Sequence, residues 1–254
     1  MPPSRADDHW TPERARLFNQ AVQRSNFPAL VLDALDPALA ICRTAVDVGA
    51  GVGALTLPLA RRLESVTALE PAAAMRAELA ASLERAGVQN VCCMPAGWGE
   101  APLFPHDLVM VANVAPVFDA LPAFLKEVET VAQVAVAIVQ NVGSGGEKFY
   151  LGELYPLLLG RPYAGRTDYR RTVALLHARD IHLNVRIVEY DFDQPFADFA
   201  EALTFWRDRL PLPIGAEPAL AEFLRGKLRP DGSALVAPMR RRSAVLWWWV
   251  RSEL

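Results

Sequence analysis

The chain is short of the residues that build covalent or metal frameworks: three cysteines, four histidines and five tyrosines among 254 residues. An odd, small cysteine count excludes a disulfide scaffold, and no His or Cys recurs at zinc-site spacing, so no metal is expected. Cys92 and Cys93 are adjacent in a strand-like segment; successive side chains there point to opposite faces, and both are expected to be buried. The longest apolar runs, "VAVAIV" and "AVLWWWV", are far too short to span a bilayer. The opening "MPPSRADDHWTPERA" lacks the apolar core of a secretory signal, so a cytoplasmic address is expected. Positive charge is not in excess: 26 Lys and Arg stand against 29 Asp and Glu, a net charge of −3. The whole chain therefore exerts no pull on nucleic acid or anionic lipid, and neither is expected as a partner. What remains is 52% apolar and 22% charged, the balance of a globular protein with a sizeable core. Repeats, low-complexity tracts and a clear linker are absent, so residues 1–254 are read as one domain.

Residues 12–22 read as a helix opened by Thr11 as cap and Pro12 in the first turn, and 28–35 as a second. Strands are expected at "TAVDVG", "SVTALE", "VQNVCCM", "HDLVMVANV" and within "VAQVAVAIVQNV". The helices expected between them are 52–63 despite Pro58, "AAAMRAELAASLERAG" closed by Gly87, and 119–131. Strands that are nearly continuous apolar runs, alternating with helices, predict a doubly wound, mostly parallel α/β sheet with helices on both faces. Its ligand belongs beyond the carboxyl ends of the strands. After a "GSGG" loop at 143–146 come a helix over 147–159, a basic segment, a helix over 172–180, a strand "NVRIVEYDF", helices at 196–209 and 217–227, and a last strand "SAVLWWWV". The expected layout is an N-terminal helical cap (1–43), an alternating core that carries the ligand site (44–142) and later helices with closing strands (143–254).

In "AVDVGAGVGALTLPLA", Gly49, Gly51 and Gly53 alternate after a strand carrying Asp47. Such a turn lets backbone approach a ligand. Two ligand classes fit. Gly49-Ala50-Gly51-Val52-Gly53-Ala54 satisfies the dinucleotide pattern G-x-G-x-x-A, with Glu70 placed 21 residues on to hold ribose hydroxyls.

The second class is S-adenosylmethionine. "VDVGAGVGALTLPLA" followed by "VTALEP" resembles the first motif and its successor in the class I S-adenosylmethionine-dependent methyltransferases. That family carries an acid two residues before a G-x-G-x-G turn, matched by Asp47, Gly49, Gly51 and Gly53, and an acid ending its second strand, matched by Glu70. The resemblance implies a seven-stranded Rossmann-like sheet with an antiparallel last strand inserted between the fifth and sixth. It also implies a cofactor site drawn from Asp47, Gly49, Ala50, Gly51, Gly53, Glu70, Pro71, Gly97, Trp98 and Asn113. The small-acidic pair that the family places after its third strand reads Gly97-Trp98 here; Trp98 is placed to cover the adenine by stacking and Glu100 to replace the acid. Asp47 fits either direct ligand contact or anchoring of the loop.

Methyl transfer from a sulfonium needs chiefly alignment, and a general base only for some acceptors. His106, His177 and His182 fall at the wrong edge of the expected sheet. His9, in the N-terminal segment, and Asn113, ending the fourth strand, are the candidate catalytic residues. "ANVAPVF" matches the amino-methyltransferase motif only out of register. Trp10, Phe18, Tyr150 and Tyr155 are the substrate-pocket candidates, with Tyr163 and Tyr169 behind them. Arg161, Arg166, Arg170 and Arg171 form a basic cluster, either solvated or holding an anionic group. The arginines of "RRRSAVLWWWV" are read as capping a strand.

The leading reading is a small-molecule methyltransferase using S-adenosylmethionine. Its rivals are an RNA or protein methyltransferase, a non-catalytic S-adenosylmethionine-binding partner protein and a nicotinamide-dependent oxidoreductase; the last lacks a Tyr-x-x-x-Lys pair after the fourth strand. An apolar C-terminal edge strand leaves a homodimer open.

Overall fold

A computed structural model describes residues 9–143, 147–165 and 168–250; residues 1–8 of the cap, most of the "GSGG" loop and Arg166 lie outside this set. Helices α1 (Pro12–Arg24), α2 (Phe27–Ala34) and α3 (Asp36–Leu39) precede the sheet. Strands β1 (Thr44–Val48), β2 (Ser65–Leu69), β3 (Val91–Met94), β4 (His106–Ala112) and β5 (Ala132–Asn141) alternate with α4 (Thr56–Ala60), α5 (Ala73–Ala86), α6 (Ala115–Asp119) and α7 (Leu121–Val131). A 3-10 turn (Lys148–Tyr150) leads into α8 (Leu151–Leu159). Then follow α9 (Tyr169–His177), β6 (Asn184–Asp191), β7 (Gln194–Phe196), α10 (Phe199–Arg207), α11 (Glu217–Lys227), β8 (Arg229–Asp231), β9 (Ala234–Ala237) and β10 (Arg240–Trp249).

The main sheet runs β3-β2-β1-β4-β5-β10-β6. Neighbours from β3 to β5 pair in parallel, while β10 pairs antiparallel with both β5 and β6. This is the seven-stranded, doubly wound arrangement with a reversed last strand. Central positions such as Val109, Val111, Val136 and Ile138 are buried because helices cover both faces. One face packs on α2 through Phe27, Val31 and Leu32. The other packs on α7 through Leu121, Phe124 and Val128.

Local chemistry sets several element ends. The Thr11 hydroxyl accepts from the Arg14 amide at 3.3 Å, as expected for the cap of α1. Gly87 closes α5 in a left-handed conformation, φ 65°. The helix expected over 52–63 is confined to α4, because residues 49–55 are spent on the turn. Pro58 falls in the first turn of α4, where a missing N–H costs nothing. The helix expected over 119–131 is broken at Ala120 into α6 and α7. That expected over 172–180 starts earlier, at Tyr169, since Asp168 caps it by accepting from the Arg170 amide at 3.1 Å.

Two expectations need correction. Cys92 and Cys93 are both exposed, not buried: β3 is the edge of the sheet. β10 is an internal strand, so no apolar C-terminal strand forms an edge; that place belongs to β6. A second, three-stranded sheet, β7-β9-β8, was not foreseen. Two of its strands are only three residues long and carry Pro195 and Pro230, which hides any alternation. No helix among the described residues is long and apolar enough to cross a membrane.

Candidate functional site

The turn after β1 is held from three sides. Glu70, just past the end of β2, is 6% exposed; its Oε2 accepts from the Gly51 amide at 2.9 Å and its Oε1 from the Ala72 amide at 2.8 Å. The Ala50 amide donates to the Leu69 carbonyl at 2.9 Å and the Gly53 amide to the Ala50 carbonyl at 2.9 Å. Below the turn, the buried Asp47 accepts from the Thr56 hydroxyl at 2.6 Å, tying β1 to the start of α4. Burial pushes its carboxyl up to about 6; the Thr56 hydrogen bond works against the shift and the Glu70 charge adds to it.

The three glycines have different reasons. Gly49, Gly51 and Gly53 all sit at positive φ (69°, 58° and 88°), which favours glycine. A Cβ on Gly49 would lie 2.4 Å from Val114 Cγ2, and one on Gly53 2.5 Å from Leu79 Cδ1. Those two are dictated by the protein's own packing. A Cβ on Gly51 would meet only the Gly49 carbonyl at 4.0 Å, so the bare backbone beside Glu70 faces open space. Gly51 is where the ligand argument holds.

Flanking residues complete the carboxyl edge. Arg76 donates to the Glu70 and Pro71 carbonyls at 2.8 and 2.6 Å, fixing the bend after β2. The Gly97 amide donates to Glu100 at 2.6 Å, which closes the turn after β3. Trp98 donates to Glu127 at 3.1 Å and packs edge-on to Phe124 at 4.9 Å, leaning on α7. Asn113, past the end of β4, is exposed and left-handed, φ 57°; its amide donates to the Val139 carbonyl at 2.9 Å. Asn tolerates that conformation better than most residues, and such strain concentrates at functional sites.

The aromatic candidates divide into two groups. Trp10 and Phe18 pack together at 5.5 Å and, with Ala15 and Met75, against Val52 of the turn and Ala72 beyond Glu70. The helix α1 thus closes over the glycine turn. His9 lies edge-on to Trp10 at 5.0 Å. Tyr150 and Tyr155 belong to a separate core built on α10 and α11. Tyr150 donates to the Pro238 carbonyl at 2.6 Å and stacks on Trp206; burial pushes its hydroxyl up to about 12. Tyr155 meets Tyr163 at 4.9 Å. In the basic cluster, Arg170 is paired with Asp168, and Arg161 lies over Tyr155 at 5.5 Å. Among the described histidines, His106 bridges Thr67 (2.9 Å) and the Phe104 carbonyl (2.7 Å), while His177 and His182 are exposed. No cluster of ligating side chains among the described residues could hold a metal ion.

Sequence reasoning missed Val114, whose side chain closes on Gly49, and the buried Thr172 to Gln140 hydrogen bond of 2.6 Å at the end of β5. Neither residue type marks itself; only the sheet order brings these segments together.

Residues 46–136 match the family model of the methyltransferase domain. The curated proteins yield no match. Among solved structures, the YcgJ protein of Bacillus subtilis shares the fold with a TM-score of 0.54 at 13% identity, over 87% of this chain and 99% of its own. A candidate methyltransferase of Bacillus halodurans C-125 gives 0.55 at 16%, over 86% and 99%. The precorrin-6y C5,15-methyltransferase of Geobacter metallireducens GS-15 gives 0.50 at 12%, over 87% of each chain. At these identities the likeness is one of fold.

Proposed function

We propose that the chain is an S-adenosylmethionine-dependent methyltransferase, a reading supported by the methyltransferase-domain match at residues 46–136, and that it passes the methyl group to a small-molecule acceptor. The carrying observation is the pairing of Glu70 with the Gly51 amide at 2.9 Å beside open space, at the carboxyl edge of a doubly wound sheet. The residues present fit the cofactor. Glu70 is a carboxylate with about four acceptor sites, enough to hold loop amides and receive ribose hydroxyls. Gly51 offers backbone that a side chain would otherwise block. When bound, S-adenosylmethionine supplies a methyl group activated by its sulfonium.

The chain's own residues do the rest. Asp47 holds the turn by Thr56 and places a buried negative charge beneath it. Trp10 and Phe18, on the cap, exclude water from the turn they cover. Asn113, at the end of β4, and His9, beside Trp10, are the polar groups we assign to the acceptor side. Residues 143–254 we assign to substrate selection. The net charge of −3 supports a small acceptor over RNA.

Thermal shift with S-adenosylhomocysteine, NAD and NADP comes first, followed by transfer of labelled methyl into metabolite, RNA and protein fractions. A response to S-adenosylhomocysteine alone, with label in the metabolite fraction, is expected. A response to NAD alone ends the reading; label in RNA or protein replaces the acceptor class.

A further inference from the structure

Three arginines open β10, and strand alternation divides them. Arg240 pairs with Glu189 at 2.7 Å and Arg242 with Glu147 at 3.3 Å; both are exposed. Arg241 points the other way and is only 7% exposed. Among the described residues it makes no ion pair. Asp193, the acid after Phe192, instead accepts from the Met239 amide at 2.9 Å. The Arg241 guanidinium lies over the rings of Phe192 (4.8 Å) and Tyr190 (5.7 Å), and its Nη2 donates to Asn141 Oδ1 at 3.3 Å.

A buried charge without a counter-charge is costly, and proteins seldom leave one so. The rings and one amide oxygen offset part of the cost. Nε and Nη1 have no hydrogen bond among the described residues, yet they are not sealed. There, Gln140 Nε2 is the one fully buried side-chain nitrogen or oxygen without a partner. The two remaining nitrogens of Arg241 are therefore not fully buried and stay free to donate.

Arg241 belongs to the edge where the glycine turn lies. β10 is antiparallel, so its start stands at the carboxyl end of β5, where Ser243 is opposite Asn141. Asn113, at the end of β4, lies two strands across the sheet, a lateral separation of about 10 Å. A line of rings joins the places: Arg241 over Phe192, Phe192 to Phe18 at 5.7 Å, Phe18 to Trp10 at 5.5 Å, and Trp10 against Val52 of the turn.

We propose that Arg241 is the anion-recognition residue of the acceptor pocket. The methyl acceptor then carries a carboxylate or phosphate that Arg241 receives, and an apolar body that reaches toward the half-buried Phe18 and Trp10. This rests on the methyltransferase reading. Arginine suits the role because its planar fork bonds two oxygens at once.

The test uses the full chain saturated with S-adenosylhomocysteine, so cofactor binding is scored first. Thermal stability is then measured with benzoate, phenyl phosphate and benzamide. Benzoate or phenyl phosphate should raise the transition and benzamide should not; which anion acts distinguishes carboxylate from phosphate. Arg241→Gln should weaken the anion about thirtyfold or more while S-adenosylhomocysteine affinity is unchanged. Arg241→Lys, which keeps the charge and loses the fork, should fall between. An equal response to benzamide, a response that survives Arg241→Gln, or no response to any of the three overturns the inference. Should Arg241→Gln not fold, Arg241→Lys decides alone: weaker anion binding by about tenfold supports it, and unchanged binding overturns it. Failure to bind S-adenosylhomocysteine at all defeats the methyltransferase reading instead.

Discussion

Glu70→Gln is the most informative single change. The side chain keeps its size, but one oxygen becomes an NH2 group. In the native site both carboxylate oxygens accept backbone amides, Gly51 at 2.9 Å and Ala72 at 2.8 Å, in a residue only 6% exposed. Whichever way the new amide turns, one of these donors faces another donor and loses its partner. A charge-assisted bond lost in a buried place costs about 2 kcal/mol. For a domain of this size that lowers the thermal transition by about 4–8 °C. The cofactor should suffer separately. Ribose hydroxyls would lose a charged acceptor, and two such bonds weakened by about 1.4 kcal/mol each give about a hundredfold loss of S-adenosylhomocysteine affinity. Calorimetric titration measures the second effect and differential scanning the first. A lowered transition with affinity unchanged would refute the ribose role and leave Glu70 as a brace for the loop. No change in either would refute the amide contacts themselves.

Two further outcomes test other parts of the structure. Asp47 is raised from 3.8 to about 6, so the folded chain holds this proton more tightly than the unfolded one. Its contribution to stability is complete below 3.8 and is lost as pH rises through about 6. Asp47→Asn should therefore gain on the wild type between about pH 4 and pH 7, by up to roughly 3 kcal/mol; a difference in transition temperature that stays flat across this window contradicts the assignment. Cys92 and Cys93 are exposed, whereas Cys42 is buried and its thiol is pushed up to about 12, chiefly by burial and then by Asp107. A disulfide reagent should titrate two thiols in the native protein and the third only after unfolding. Three fast thiols, or one, would show that β3 or Cys42 is placed otherwise.

Much of this molecule was legible in one dimension because its signals are local. Apolar runs alternating with helices specify a parallel sheet, since strands covered on both faces have no polar side to show. Gly49, Gly51 and Gly53 announce a turn because almost no other residue accepts three positive φ values so close together. Asp47 and Glu70 stand out as acids at the ends of apolar strands, where an uncompensated charge needs a reason. Thr11 with Pro12, and Gly87, marked helix ends by rules acting within one turn.

Other features depend on which strands become neighbours, and no short segment encodes that. The exposure of Cys92 and Cys93 follows from β3 lying at the sheet edge, and the burial of "AVLWWWV" from β10 lying between β5 and β6. Gly49 must be glycine partly because Val114, sixty-five residues later, closes on it. Tyr150 and Trp10 read alike as aromatic candidates, yet the fold puts one in a packed core and the other against the glycine turn. Arg241 shows the division most sharply. In the chain it is the middle of three arginines; the pleat buries it between two exposed, paired neighbours, and the antiparallel insertion of β10 carries it to the carboxyl end of β5. Composition and periodicity determine what each segment is. Long-range pairing decides what each side chain meets, because side chains distant in the chain become contacts only once the sheet has assembled.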